Sequence, residues 1–168
     1  MRVFGIDCGT EYTGYGIVET TGRNHLHYVH CGAVKLIKRF NSADRLKQVH
    51  DELTAQIAAH LPDIVAIEEV FYSVNPKSAL KLGQVRGVAM LAAAQAGVPL
   101  AEYSPLSIKS AVVGYGRADK QQVQFMVTKL LNLAQAPEPY DASDALALAI
   151  CHIHTASTLL RQTAGAHA

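Results

Sequence analysis

Four carboxylates in this 168-residue chain stand where an unpaired charge is costly. Asp7 closes the apolar run Val3-Phe4-Gly5-Ile6 at the mouth of a glycine turn, "GIDCGT", and Glu68 closes the run Ile64-Val65-Ala66-Ile67. Asp141 and Asp144, in "YDASDALALAI", are three apart and project from one face of a helix start. Each has an ordinary explanation alone. Asp7 reads as a turn residue, Glu68 as a strand-end charge, and Asp141 with Asp144 as a helix cap followed by a first-turn acid. A shared metal site accounts for all four together. Hard oxygen donors suit Mg²⁺ or Mn²⁺ rather than zinc, and two divalent ions neutralise four carboxylates. Two ions roughly 3.5 to 4 Å apart suit phosphodiester hydrolysis, one activating the attacking water and the other stabilising the leaving 3′ oxygen. Such chemistry needs no Ser, His or Cys nucleophile.

The elements that must position these groups follow from periodicity. Residues 2–7 and 14–19 read as two short strands of a hairpin, and 27–36 as a third strand. Ser42 or Asp44 caps an amphipathic helix reaching His60, with Leu46, Val49, Leu53 and Ile57 on one stripe, and Pro62-Asp63 stops it. The β-branched run 64–68 is a central strand covered on both faces. A helix over 78–96, a strand over 100–103, helical pieces over 109–113 and 121–131, and a last helix opened by Asp141 complete the order. The expected fold is α/β with a mixed sheet, antiparallel at the N-terminal hairpin and parallel after it. Residues 1–157 form one domain and 158–168 a short tail whose only formally charged side chain is Arg161. The 78–96 helix lacks a polar face from Val88 onward and needs two partners, the sheet and either the preceding helix or its own copy in a second subunit.

Composition narrows the function classes. Apolar residues make up 49% of the chain and prolines number six, which excludes a disordered tail. Apolar runs such as 88–94 fall far short of the roughly 20 residues a membrane span needs, and no signal-peptide profile precedes the glycine turn, so a cytoplasmic protein is expected. Cys8, Cys31 and Cys151 form no C-x-x-C pair, which argues against a disulfide framework or a thiolate zinc site. The net charge of +1 conceals a basic segment: Lys77, Lys81, Arg86, Lys109, Arg117 and Lys120 face only Glu102 and Asp119 between 77 and 120. With four of the fourteen acids assigned to metal, fifteen basic residues face ten acidic ones, as suits a polyanionic partner.

Four blocks carry a resemblance over nearly the whole chain: "FGIDCGTEYTGYGIVE", "PDIVAIEEVFYSVNPKSALKLGQVRGVAMLAAAQAGVPLAEY", "IKSAVVGYGRADKQQVQFMV" and "DASDALALAICH". The sequence resembles the RuvC Holliday junction resolvases, and the "SALKLGQ-RG" run is its most specific part. The resemblance implies a ribonuclease-H-like fold, with a mixed five-stranded sheet flanked by helices. It also implies a homodimeric, Mg²⁺-dependent endonuclease, with two ions per site and Mn²⁺ able to substitute, that nicks two strands of four-way junction DNA symmetrically in recombination and repair. Position by position, it places the catalytic acids on Asp7, Glu68, Asp141 and Asp144 and puts the 78–96 helix at the dimer interface. It names the branch-migration proteins RuvA and RuvB as partners. Phe71 becomes the DNA wedge, with Tyr72 beside it; Lys109 and Lys120 contact the cleaved phosphate, and Lys77, Lys81 and Arg117 are general DNA contacts.

One departure is visible: Cys8 stands where members commonly carry proline, which leaves the turn freer and is expected to add a thiol near the metal. Glu69 should point away from Glu68, because adjacent strand residues face opposite sides. His152 and His154, at i,i+2, diverge on a helix and make a poor metal pair. Other classes compete. "GID-GT" also opens actin-like and sugar-kinase ATPases, which need a second related domain that this chain is too short to hold. Small ribonuclease-H-like proteins of RNA maturation share the opening motif but are not expected to share the central block. A binding module without catalysis would gain nothing from four acids near phosphates.

Overall fold

A computed structural model describes residues 1–21, 25–69 and 76–165. Three antiparallel strands come first, β1 (Arg2–Asp7), β2 (Tyr12–Thr20) and β3 (Leu26–Lys35), then α1 (Ser42–His60), β4 (Ile64–Glu68), α2 (Pro76–Gln95) and β5 (Leu100–Tyr103). Helices α3 (Pro105–Val113), α4 (Lys120–Leu130) and α5 (Tyr140–Gly165) follow. The sheet order is β3-β2-β1-β4-β5, with β1, β4 and β5 parallel, so the mixed five-stranded α/β architecture read from the sequence is the one observed. Helix α5 continues past 157 to Gly165.

Element boundaries shift where capping chemistry outweighs periodicity. Helix α3 begins four residues earlier than the apolar pattern indicates, because the Ser104 hydroxyl accepts from the Ser107 N–H and Pro105 fits the first turn. Helix α4 is set by a capping box, Asp119 accepting from the Gln122 N–H while Gln122 accepts from the Asp119 N–H. Asp141 lies inside the first turn of α5 and not at its cap, since the helix opens at Tyr140.

Two apolar layers sandwich the sheet, and strand alternation sorts residues between them. On one face Phe4, Ile6, Val65 and Ile67 pack with Val49, Leu53 and Ile57 of α1 and with Val85, Ala89, Ala92 and Ala93 of α2. On the other, Val3 and Ala66 pack with α3, α4 and the apolar side of α5. The predicted α1 stripe is therefore the buried one, and truncating fully buried Leu53 to alanine would cost about 2–5 kcal/mol.

The second layer depends on glycine. A β-carbon at Gly5 would lie 1.9 Å from the Ala145 carbonyl oxygen, and one at Gly14 would lie 2.0 Å from that of Asp141. These strands thus form a smooth channel, and the α5 backbone rests directly on it through Ala142, Ala145 and Ala149, all fully buried. Helix α2 takes α1 as its helical neighbour. Among the described residues its outer side stays uncovered: Leu80 is 71% and Leu91 50% exposed, and none of them lies within 4 Å of a β-carbon built at Gly83 or Gly87.

Candidate active site

Alternation along two neighbouring strands starts the site. Residues 3, 5 and 7 of β1 face α5, as do 66 and 68 of β4, and Ile6 pairs with Ile67 in the parallel register. Asp7 and Glu68 therefore end side by side on one face of the sheet. The glycine channel then lets the first turns of α5 approach, which brings Asp144 into the cleft and sets Asp141 at its margin, against the Gly9 turn and close enough to act on the Asp7 carboxyl. A β-carbon at Gly9 would lie 2.2 Å from the Tyr12 carbonyl and 3.5 Å from the Asp141 carboxylate, so the turn after Asp7 closes tightly beneath the acids.

Asp7, Glu68 and Asp144 line a cleft of about 210 Å³ together with Lys109 of α3 and Lys120 of α4. Pro105, Ile108, Val123 and Leu148 form its apolar wall. Lys120 Nζ lies 3.1 Å from an Asp144 carboxylate oxygen. The Asp119–Gln122 capping box fixes the helix start that carries this lysine.

The acids repel one another in a poorly solvated corner. Burial pushes the Asp7 carboxyl up to about 8, and Asp144, Glu68 and Asp141 add to the shift in that order. Burial and then Asp144 raise Glu68, against Lys120 and Lys109. Burial raises Asp144 as well, although Lys120 pulls it back. For Lys120 burial opposes the charge, but Asp144 and then Asp7 and Asp141 outweigh it and hold the ammonium above its ordinary value. The corner thus carries more negative charge than two lysines relieve, and its donors are all hard oxygens. That set fits divalent ions such as Mg²⁺. Among the described residues, no three His, Cys, Asp or Glu side chains are already drawn into a cage, and the ammonium of Lys120 holds the Asp144 carboxylate.

The remaining sequence candidates fall outside this cleft. Lys77 is exposed in the first turn of α2, and Arg117 is exposed between α3 and α4. Lys81 borders a separate groove with Thr10, Asn41 and Arg45. Arg45 there donates to the carbonyls of Ile37, Lys38 and Phe40, which spends its guanidinium on the loop. Phe71 and Tyr72 lie outside the described residues. Sequence reading missed the apolar wall, whose members look like ordinary helix core. It also passed over the capping box, although Asp119-x-x-Gln122 is legible in the sequence.

The sequence profile of the family described as crossover junction endodeoxyribonuclease RuvC matches residues 3–152. The chain belongs to the RuvC family. It is 60% identical to RuvC of Koribacter versatilis over 166 residues, covering 99% of this chain and all of that one. It is 61% identical to RuvC of Acidobacterium capsulatum over 168 residues, covering 96% and 98% of the two chains. Among solved structures, Thermus thermophilus RuvC in complex with a Holliday junction substrate superposes with a TM-score of 0.87 at 35% identity, covering 93% of this chain and 94% of that one. The ribonuclease-H-like fold implied by the sequence is thus the RuvC fold.

Three readings made on this RuvC-family sequence now have a geometric outcome. Glu68 lines the cleft while Glu69 is exposed, as alternation required. The histidines pack: His152 Nδ1 lies 2.7 Å from the Tyr103 hydroxyl and His154 Nδ1 3.0 Å from the Ala111 carbonyl. Cys8 is a correction, because its side chain packs with the α1–α2 layer, behind the sheet from the cleft. Burial, followed by Asp7, pushes its thiol far above the usual range, which disfavours a reactive thiolate at this position.

Proposed function

We propose that this chain is a crossover junction endodeoxyribonuclease that resolves four-way DNA junctions by symmetric paired nicks, acting in homologous recombination and DNA repair as a homodimer. The observation that carries the reading is the convergence of Asp7, Glu68, Asp141 and Asp144 on one corner of a RuvC-family fold, with two lysines facing them. The four acids would hold two Mg²⁺ ions, with Mn²⁺ able to substitute. When bound, such ions activate a water for attack on phosphorus and stabilise the leaving 3′ oxygen.

The chain's own residues supply the remaining work. Lys109 and Lys120, which line the cleft, would hold the oxygens of the scissile phosphate, Lys120 exchanging its Asp144 partner for them. Ile108, Val123 and Leu148 keep that edge of the cleft dry, which strengthens every charge contact inside it. Phe71 would act as the DNA wedge and Tyr72 as a second DNA contact, while Lys77, Lys81 and Arg117 would hold the arms by their backbones. The uncovered stripe of α2, with Leu80, Gly83, Gly87 and Leu91, meets its own copy across a two-fold axis. RuvA and RuvB are the partners that would deliver the junction.

The test is a mobile synthetic four-way junction, each strand end-labelled in turn, incubated with Mg²⁺ or EDTA beside an Asp7→Asn variant. Paired nicks at symmetric positions, lost with EDTA and with the variant while junction binding persists, are expected. Binding without cleavage under every divalent ion would replace this reading with a structural junction binder.

A further inference from the structure

We infer that Arg86 is a positioning residue that grips the end of β4 from behind the sheet and so sets the direction of the Glu68 side chain. The inference deepens the nuclease reading and rests on it. Arg86 belongs to α2, whose adjacent Val85 is buried in the layer opposite the cleft. From that side its Nε donates to the Glu68 backbone carbonyl at 3.1 Å. Its Nη2 pairs with Glu102 of β5, and its Nη1 lies 3.4 Å from the Met90 sulfur. The Arg86 side chain is only 17% exposed. Three contacts in different directions lock the planar guanidinium, which a flexible ammonium would not achieve.

What this grip holds is the final residue of the catalytic strand. Glu68 ends β4, and the next ladder bond, from the Glu69 N–H to the Tyr103 carbonyl at 2.9 Å, lies at the margin of the sheet. Fixing the Glu68 carbonyl fixes its peptide plane and therefore the direction in which its carboxylate enters the cleft. Arg86 does this through the backbone, because its Nε bonds the main-chain carbonyl, whereas Lys109 and Lys120 line the cleft that the Glu68 side chain enters. The arginine also ties the catalytic strand to α2, the helix whose outer side is uncovered.

The test uses Arg86→Met, which keeps the apolar stem, with Arg86→Lys and Glu102→Gln as companions. Single-turnover cleavage at saturating junction should fall about 10–100-fold in Arg86→Met, the cost typical of losing a group that orients a ligand. Junction affinity measured in EDTA should stay within about twofold and the melting temperature within a few degrees, while Arg86→Lys should recover part of the rate. Glu102→Gln, which keeps an acceptor oxygen for Nη2, should cut near the wild-type rate because both the lock and the carbonyl contact survive. Hydrogen exchange at the Glu69 amide should accelerate in Arg86→Met, a readout that needs no cleavage. Wild-type cutting in Arg86→Met, an equal loss in Glu102→Gln, a fall in affinity matching the fall in rate, or an unchanged Glu69 amide would each overturn the inference. A wild type that does not cut would instead sink the nuclease reading, and the Glu69 amide would still decide about Arg86.

Discussion

Asp7 shows how much electrostatic tension one residue carries when a counter-charge is missing. Its carboxyl is pushed from 3.8 up to about 8 by burial and by Asp144, Glu68 and Asp141, so between those values the folded chain binds a proton that the unfolded chain has released. Stability tied to that proton is fully present below about pH 4 and is lost as pH rises through about 8. In EDTA, Asp7→Asn should therefore melt higher than wild type at pH 8 to 9, by about 2–4 °C for each kcal/mol relieved, with the gap closing toward pH 4. Melts followed by circular dichroism test this, and a variant less stable than wild type at pH 9 would contradict it. Added Mg²⁺ should raise the wild-type melting temperature and leave that of the variant nearly unchanged.

The elements matter through how closely they approach. Helix α5 carries half of the acid set, and it reaches the sheet only because Gly5 and Gly14 offer no side chain where its carbonyls lie. A methyl group at Gly14 would meet Asp141 backbone, which has no flexible end to yield. Gly14→Ala should consequently cost about 1–3 kcal/mol or more, visible as a lowered urea midpoint, and should abolish cleavage at temperatures where the chain remains folded. A stable, active Gly14→Ala would show that the helix can move off the sheet without displacing Asp141 and Asp144. Helix α4 works by a gentler rule, since its capping box sets the register that delivers Lys120 to Asp144.

At the scale of the molecule, the sheet separates two tasks. One face builds the acid corner with α3, α4 and α5; the other carries α1 and α2, with an apolar stripe left at the surface. Leu91, half exposed in the middle of that stripe, is the position to test assembly. Leu91→Glu should convert a dimer into a monomer by light scattering, because like charges would meet across a two-fold axis, while the circular dichroism spectrum stays that of the wild type. An unchanged dimer would move the interface elsewhere. Among the described residues no helix is long and apolar enough to cross a membrane.

The order of strands and helices was legible because apolar period and capping residues are local, and so was the choice of Glu68 over Glu69, which follows from alternation alone. The four acids could be singled out from residue type and placement, and the RuvC resemblance supplied the roles proposed for them. The start of α3 at Pro105 was missed although Ser104-Pro105 encodes it, since the apolar pattern outweighed the cap in the reading. The side of the sheet on which Cys8 packs was misjudged, because a turn residue carries no period from which its direction can be read. Other features were not local at all. The contact of Arg86 with the Glu68 carbonyl joins residues 18 apart through a helix packed behind the sheet, and the Lys120–Asp144 pair joins the starts of two helices. The sequence by itself determined which residues carry charge, which faces must be buried and which family the chain resembles. Only tertiary structure decided how close the acids and lysines come, because those distances depend on glycines, packed helices and strand register acting together.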